Sequence, residues 1–227
     1  MLKPEEQVAF LKSVDEVRQV AERHLETHRS PQSAIAFVSS LQHKASSIIQ
    51  RAVGQGVEIA CKAGCNHCCR ARVEAMAAEI FRIARELRGR PAEEMNHVIR
   101  RLETHLAMRS DEQAWSRRPQ CPFLENEVCS IYDVRPGVCR KAHSLDLRKC
   151  RTDAAEIPQN LGIVVGIAAL TQGTADAYRK LGLDAASHEL GQGVLLALSD
   201  PTTESRWYDG EAVFVQHVAA AHPRSET

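Results

Sequence analysis

Four of the chain's eight cysteines, Cys61, Cys65, Cys68 and Cys69, fall within the nine residues "CKAGCNHCC". The other four, Cys121, Cys129, Cys139 and Cys150, follow at wider intervals in "CPFLENEVCSIYDVRPGVCRKAHSLDLRKC". Scattered cysteines are commonly inert buried thiols. Thiols crowded this closely suit a different chemistry, because several sulfurs from one turn, closed by distal ones, hold zinc or an iron–sulfur cluster. A purely dithiol redox role is the competing reading. Cys61 and Cys65 are spaced i, i+4 and Cys65 and Cys68 i, i+3, so a helix would set them on one face. Gly64 and Asn66 give the backbone freedom to bend sulfurs around a point.

Eight thiolates allow two four-thiolate sites, one site with spare thiols, or one polynuclear centre. Zinc knuckles usually take two ligands per loop, whereas a run of three or four cysteines leans toward iron–sulfur. The expected cofactor is an iron–sulfur cluster of the [4Fe–4S] kind, or else zinc. His67 and His143 could each replace a cysteine ligand, though such residues more often act as outer donors or lie exposed. The other histidines lack ligand spacing. Residues 135–151 carry six basic side chains, Arg135, Arg140, Lys141, Arg148, Lys149 and Arg151, against one acid, Asp146. Four thiolates on Zn²⁺ or on a [4Fe–4S]²⁺ core leave a net negative charge. Flanking cations would stabilise it and donate hydrogen bonds to sulfur. A solvated basic face is the plainer reading. Phe123 and Tyr132 are expected to shield the centre, or else to serve as ordinary core aromatics.

The frame that must position these sulfurs is mainly helical. Phe10, Val14, Val17, Ala21 and Leu25 recur at helical spacing over residues 4–28. Ser30 then Pro31 opens a second helix whose stripe is Ala34, Val38, Leu41, Ala45, Ile48 and Ala52, closed by Gly54–Gly56. These two suit an antiparallel hairpin over residues 1–56, packed on the rest of the fold or serving as a homodimerisation arm. Residues 57–227 form the cysteine-cluster helical domain, which could pack with the hairpin as one unit. Helices are expected at about 73–87, from Pro91 to about 117, at 161–181 and at 185–199, with a short one in the tail. Between Pro119 and residue 150 the pattern is irregular. A loop that long inside a compact domain is functional or needs an organiser, and a metal would serve.

Composition narrows the classes. Lys plus Arg and Asp plus Glu are both 29, so charge gives no support to nucleic acid. Aromatics are only 4%, which disfavours base-stacking surfaces and strand-rich sandwiches. The longest apolar run, Leu161–Leu170, is far short of the ~20 residues that span a bilayer. No secretory signal is read at the N-terminus, and a reducing cytoplasm is the expected compartment.

The two blocks "CKAGCNHCC" and "CPFL…VCSIYDVRPGVCR" resemble the bacterial CxxCxxCC (YkgJ-type) cysteine-cluster family, described as zinc- or iron-chelating. The likeness covers about residues 61–150. It implies that the family's eight-cysteine pattern falls on Cys61, Cys65, Cys68, Cys69, Cys121, Cys129, Cys139 and Cys150. Here the first interval, Lys62-Ala63-Gly64, has three residues instead of two. The family also includes flagellin lysine methylases, so the resemblance leaves an enzyme open. Three functions follow. The first is a metal-binding protein with a structural or electron-carrying centre, and the second a metal-dependent enzyme of methyltransferase or radical type. The third is a metal delivery or sensing protein. C-x3-C-x2-C is also the spacing of radical S-adenosylmethionine enzymes, but the strand–helix alternation of their barrel is missing.

Overall fold

The computed structural model describes residues 2–62, 64–109 and 119–214. Two long helices come first, α1 (Pro4–Thr27) and α2 (Pro31–Gly54). Ser30 caps α2 by accepting from the Ser33 N–H at 3.1 Å. α1 lies chiefly along α7 (Leu161–Lys180), and α2 packs on α7 and on α3 (Ala77–Arg88). Gly173 permits the first of these contacts. A Cβ there would stand 2.7 Å from Val17 Cβ and 3.0 Å from the Arg18 nitrogen. The apolar stripes of α1 and α2 are buried within this chain. Val14, Ala21, Leu25, Ala34, Val38, Leu41 and Ala45 are all in the interior. Residues from 1–56 and from 57–214 contribute to one continuous hydrophobic cluster.

Helix α4 (Ala92–Arg109) follows α3, and residues 110–117, expected to continue it, lie outside the described residues. Two expected helices begin later than periodicity predicts. Residues 74–76 are a strand, β1 (Glu74–Met76), paired antiparallel with β4 (Ser187–Glu189), with Ala75 opposite His188. So α3 starts at Ala77 instead of Val73, and α8 (Leu190–Ser199) starts at Leu190 instead of Ala185. A tertiary pairing between segments over a hundred residues apart overrides local helical periodicity. The short tail helix is α9 (Thr203–Tyr208); it stops before Gly210, whose φ is 91°, residues 209–214 are not helical, and residues from 215 on lie outside the described residues. Trp207 anchors α9, with its ring 5.5 Å from Phe81 and edge-on to Tyr178 at 5.8 Å. The Tyr178 hydroxyl donates to the Ala34 carbonyl at 2.7 Å, tying α7 to α2. No helix among the described residues is long and apolar enough to cross a membrane.

The segment after Pro119 contains short elements that the sequence pattern did not announce. β2 (Leu124–Glu125) and β3 (Val128–Cys129) form a two-residue hairpin. Asn126 and Glu127 turn it with φ of 47° and 66°, the paired left-handed geometry of a type I′ turn. A 3₁₀ turn (Tyr132–Val134), then α5 (Gly137–Lys141) and α6 (Leu147–Arg151), complete the segment.

Candidate metal centre

The first cysteine run is not a helix. Gly64 takes φ of 80°, Cys65 N–H donates to the Lys62 carbonyl at 2.9 Å, and Cys69 N–H donates to Asn66 at 2.9 Å. A 3₁₀ turn spans His67–Arg70. The i, i+4 face expected for Cys61 and Cys65 is therefore replaced by a chain of tight turns. Cys61, Cys65 and Cys68 nevertheless line one cleft, while the adjacent Cys69 bonds to the second cysteine segment.

Both flanks of this run are pinned by the second cysteine segment. Cys121 N–H donates to the Cys69 carbonyl at 2.7 Å. On the other side, Ala60 N–H donates to the Ser144 carbonyl at 2.9 Å, and Ser144 N–H points at Cys61 Sγ at 3.3 Å. α6, which carries Cys150, packs on the His67–Arg70 turn. The thiols sort into two neighbourhoods. Cys61, Cys65, Cys68 and Cys150 line an open cleft of about 730 Å³ together with His67, His143, Arg70 and Arg72. Cys121, Cys129 and Cys139 act on one another away from the cleft, and Cys69 joins them through Cys121 and Cys129. Cys68 touches both groups through its bond with Cys69 and its proximity to Cys129 and Cys139. Cys61 and Cys68 are exposed and the other six half-buried.

Burial first, and neighbouring thiols second, raises the proton affinity of Cys61, Cys121, Cys129 and Cys139. Burial pushes Cys121 up to about 11. Burial, and then the neighbouring thiols Cys121, Cys129 and Cys68, also raises Cys139, and burial raises Cys129 and Cys61. Cys68 and Cys69 share a hydrogen bond that lowers Cys68 and raises Cys69. Desolvated thiols side by side resist ionisation unless a cation joins them, and a metal ion would displace their protons. Among the described residues, no group of three or more His, Cys, Asp or Glu side chains stands in a geometry that could hold a metal ion. A bound ion would therefore require cysteine side chains to rotate inward. Their chemistry fits soft metals, four sulfurs to each group. A second observation fits as well. The buried Nε of Arg135 has no hydrogen-bond partner, and the Arg135 charge bears on Cys68, Cys129 and Cys139.

Other expected contributors divide. Phe123 is fully buried, in keeping with shielding, whereas Tyr132 is 55% exposed and carries the Arg135 guanidinium 3.7 Å above its ring. His143 lines the cleft, but both ring nitrogens are engaged. Nδ1 meets the Lys141 carbonyl at 2.8 Å, and Nε2 accepts from Asn160 N–H at 2.8 Å. It straps the cysteine segment to the start of α7 and is not free to ligate. Of the six basic residues, Arg140 is turned inward to Ser46 and to the Asp133 and Arg135 carbonyls. Arg148 pairs with Asp146. Glu79, like Glu58 and Glu74, reads from the sequence as a solvated helix position with no specific role, and the structure buries it instead. This carboxylate is 5% exposed, accepts from Met76 N–H at 3.1 Å, and accepts from Gly137 N–H at 2.7 Å. It joins the start of α3 to the helix that presents Cys139. Gln42 was also missed. Its Nε2 donates to the Val134 carbonyl at 3.1 Å, clamping α2 onto the same loop. A polar residue on an apolar helical stripe was the available signal for both.

The CxxCxxCC family model, described as "Putative zinc- or iron-chelating domain", matches residues 60–158, the segment that holds all eight cysteines. The resemblance carried by the two cysteine blocks is thus present over this stretch, and its description supports metal binding here. No curated protein and no solved structure matches the chain.

Proposed function

We propose that this protein holds two four-thiolate iron–sulfur centres, an inner one on Cys69, Cys121, Cys129 and Cys139 and an outer one on Cys61, Cys65, Cys68 and Cys150. Their role is electron-carrying for the outer centre and structural for the inner. The observation that carries this reading is the sorting of eight thiols into two groups of four that meet at the adjacent pair Cys68 and Cys69. The inner group is half-buried and draws on the first cysteine run, the β2–β3 hairpin and α5, as a structural site would. The outer group opens on the cleft, where a redox partner or small molecule has access. Tetrathiolate coordination supplies either iron–sulfur or zinc, and the crowded run Cys61–Cys69 favours iron–sulfur. The cleft also favours a second reading, an enzyme acting at the outer centre, since a cavity of about 730 Å³ is of the size that takes a small ligand.

Anaerobic purification followed by iron, zinc and acid-labile sulfide analysis tests the proposal. The expected result is a brown protein with broad thiolate-to-iron absorption and about two centres per chain. A colourless protein with about two zinc ions per chain would transfer the reading to structural zinc. A metal-free chain whose melting temperature is unchanged when all eight cysteines are replaced would remove the site altogether.

A further inference from the structure

We propose that Arg135 is the hydrogen-bond donor to the inner centre and sets how tightly that centre is held, an inference that rests on the two-centre reading above. Buried nitrogen donors are almost always partnered, so an orphan marks a missing acceptor. The Nε of Arg135 is such an orphan. Its guanidinium is held in place, stacked 3.7 Å over the Tyr132 ring. Its carbonyl is clamped by Gln42 Nε2 at 3.4 Å and by Arg140 Nε at 3.1 Å. The backbone that carries the side chain is therefore fixed, and the ring stack orients the guanidinium. The charge bears on Cys129 and Cys139 of the inner group and on Cys68 at the junction. Rival cations are already engaged. Arg90 donates to the Ser130 carbonyl at 2.7 Å, and Arg101 pairs with Glu125 at 2.7 Å. Arg140 points at backbone carbonyls and Ser46, and Arg148 at Asp146. A thiolate or bridging sulfide of a negatively charged centre is the acceptor that Arg135 lacks. Removal of such an outer donor typically weakens metal binding ten- to a hundredfold, roughly.

The test is timed metal release from the full-length, anaerobically purified chain in excess EDTA, with the released metal counted. Wild type is expected to lose metal in two phases, fast from the outer centre and slow from the inner. Arg135→Met should speed the slow phase about ten- to a hundredfold and change the fast phase, which Arg135 reaches only through Cys68, much less. Arg135→Lys, which keeps the charge but has no Nε–H and no planar guanidinium, should recover only part of the difference. This second variant also guards against simple misfolding of the first, which circular dichroism would reveal. A slow phase unchanged in Arg135→Met, or both phases accelerated equally, overturns the inference while the two-centre reading stands. A single phase in wild type overturns the assignment to one centre. A wild-type chain that retains no metal overturns both.

Discussion

Gly173→Ala isolates the seat of α1 on α7. In a helix interior, Gly→Ala is favourable by roughly 1 kcal/mol, because alanine restricts the unfolded chain and lacks glycine's excess freedom. That gain applies wherever the glycine faces open space. Here the new methyl would collide with the Val14 carbonyl, stand 2.7 Å from Val17 Cβ and stand 3.0 Å from the Arg18 nitrogen. Two of those partners are backbone, which cannot rotate aside, so α1 must shift as a body. Overpacking of a buried contact costs about 1–3 kcal/mol, and rigid neighbours put this case at the upper end. The net expectation is destabilisation on the order of 2 kcal/mol, with the propensity gain already deducted. Urea denaturation at fixed pH, followed by far-ultraviolet circular dichroism, reads the sign directly. A stabilised Gly173→Ala variant would show that α1 is not seated on α7. The contribution of α1 to the shared core would then be wrong, and α2 alone would join residues 1–56 to the rest.

Gln42→Leu should destabilise by about 1–3 kcal/mol, since the Val134 carbonyl loses its buried donor and Arg82 loses its acceptor. Its metal should also leave faster in the EDTA assay, because Gln42 fixes the backbone around Arg135. Unchanged stability and release would remove α2 from the support of the site. Glu79→Gln gives a pH signature. Burial raises the Glu79 pKa above its usual 4.5, so the folded state holds that proton more tightly than the unfolded state. Stability from this group is therefore fullest below about 4.5 and declines as pH rises through the folded value. The advantage of wild type over Glu79→Gln should narrow between acidic and neutral urea titrations, and a gap that widens with pH would refute the assignment.

Much of the helical frame was legible from spacing. α1 and α2 begin and end within a residue or two of their periodic stripes, because Pro4, Ser30–Pro31 and Gly54 punctuate the chain locally. The β1–β4 pair was not legible. Glu74–Met76 and Ser187–Glu189 each read as the start of a helix, and only their mutual hydrogen bonding makes them strands. In the site, the eight cysteines announced metal chemistry by type and crowding, and the family match covers the same stretch. Residue type also suggested a basic flank, but not which of its cations would keep a buried, unpartnered nitrogen.

The amino-acid order by itself determined the donors, the helical stripes and the proline and glycine stops, since each depends on neighbours within a few residues. Tertiary structure alone decided the grouping of the thiols. Cys121 meets Cys69 and Ser144 meets Cys61 through backbone bonds between segments that no local rule connects. It likewise left Arg135, of all the flanking cations, with a buried donor and no acceptor, because stacking and clamping are properties of packed neighbours.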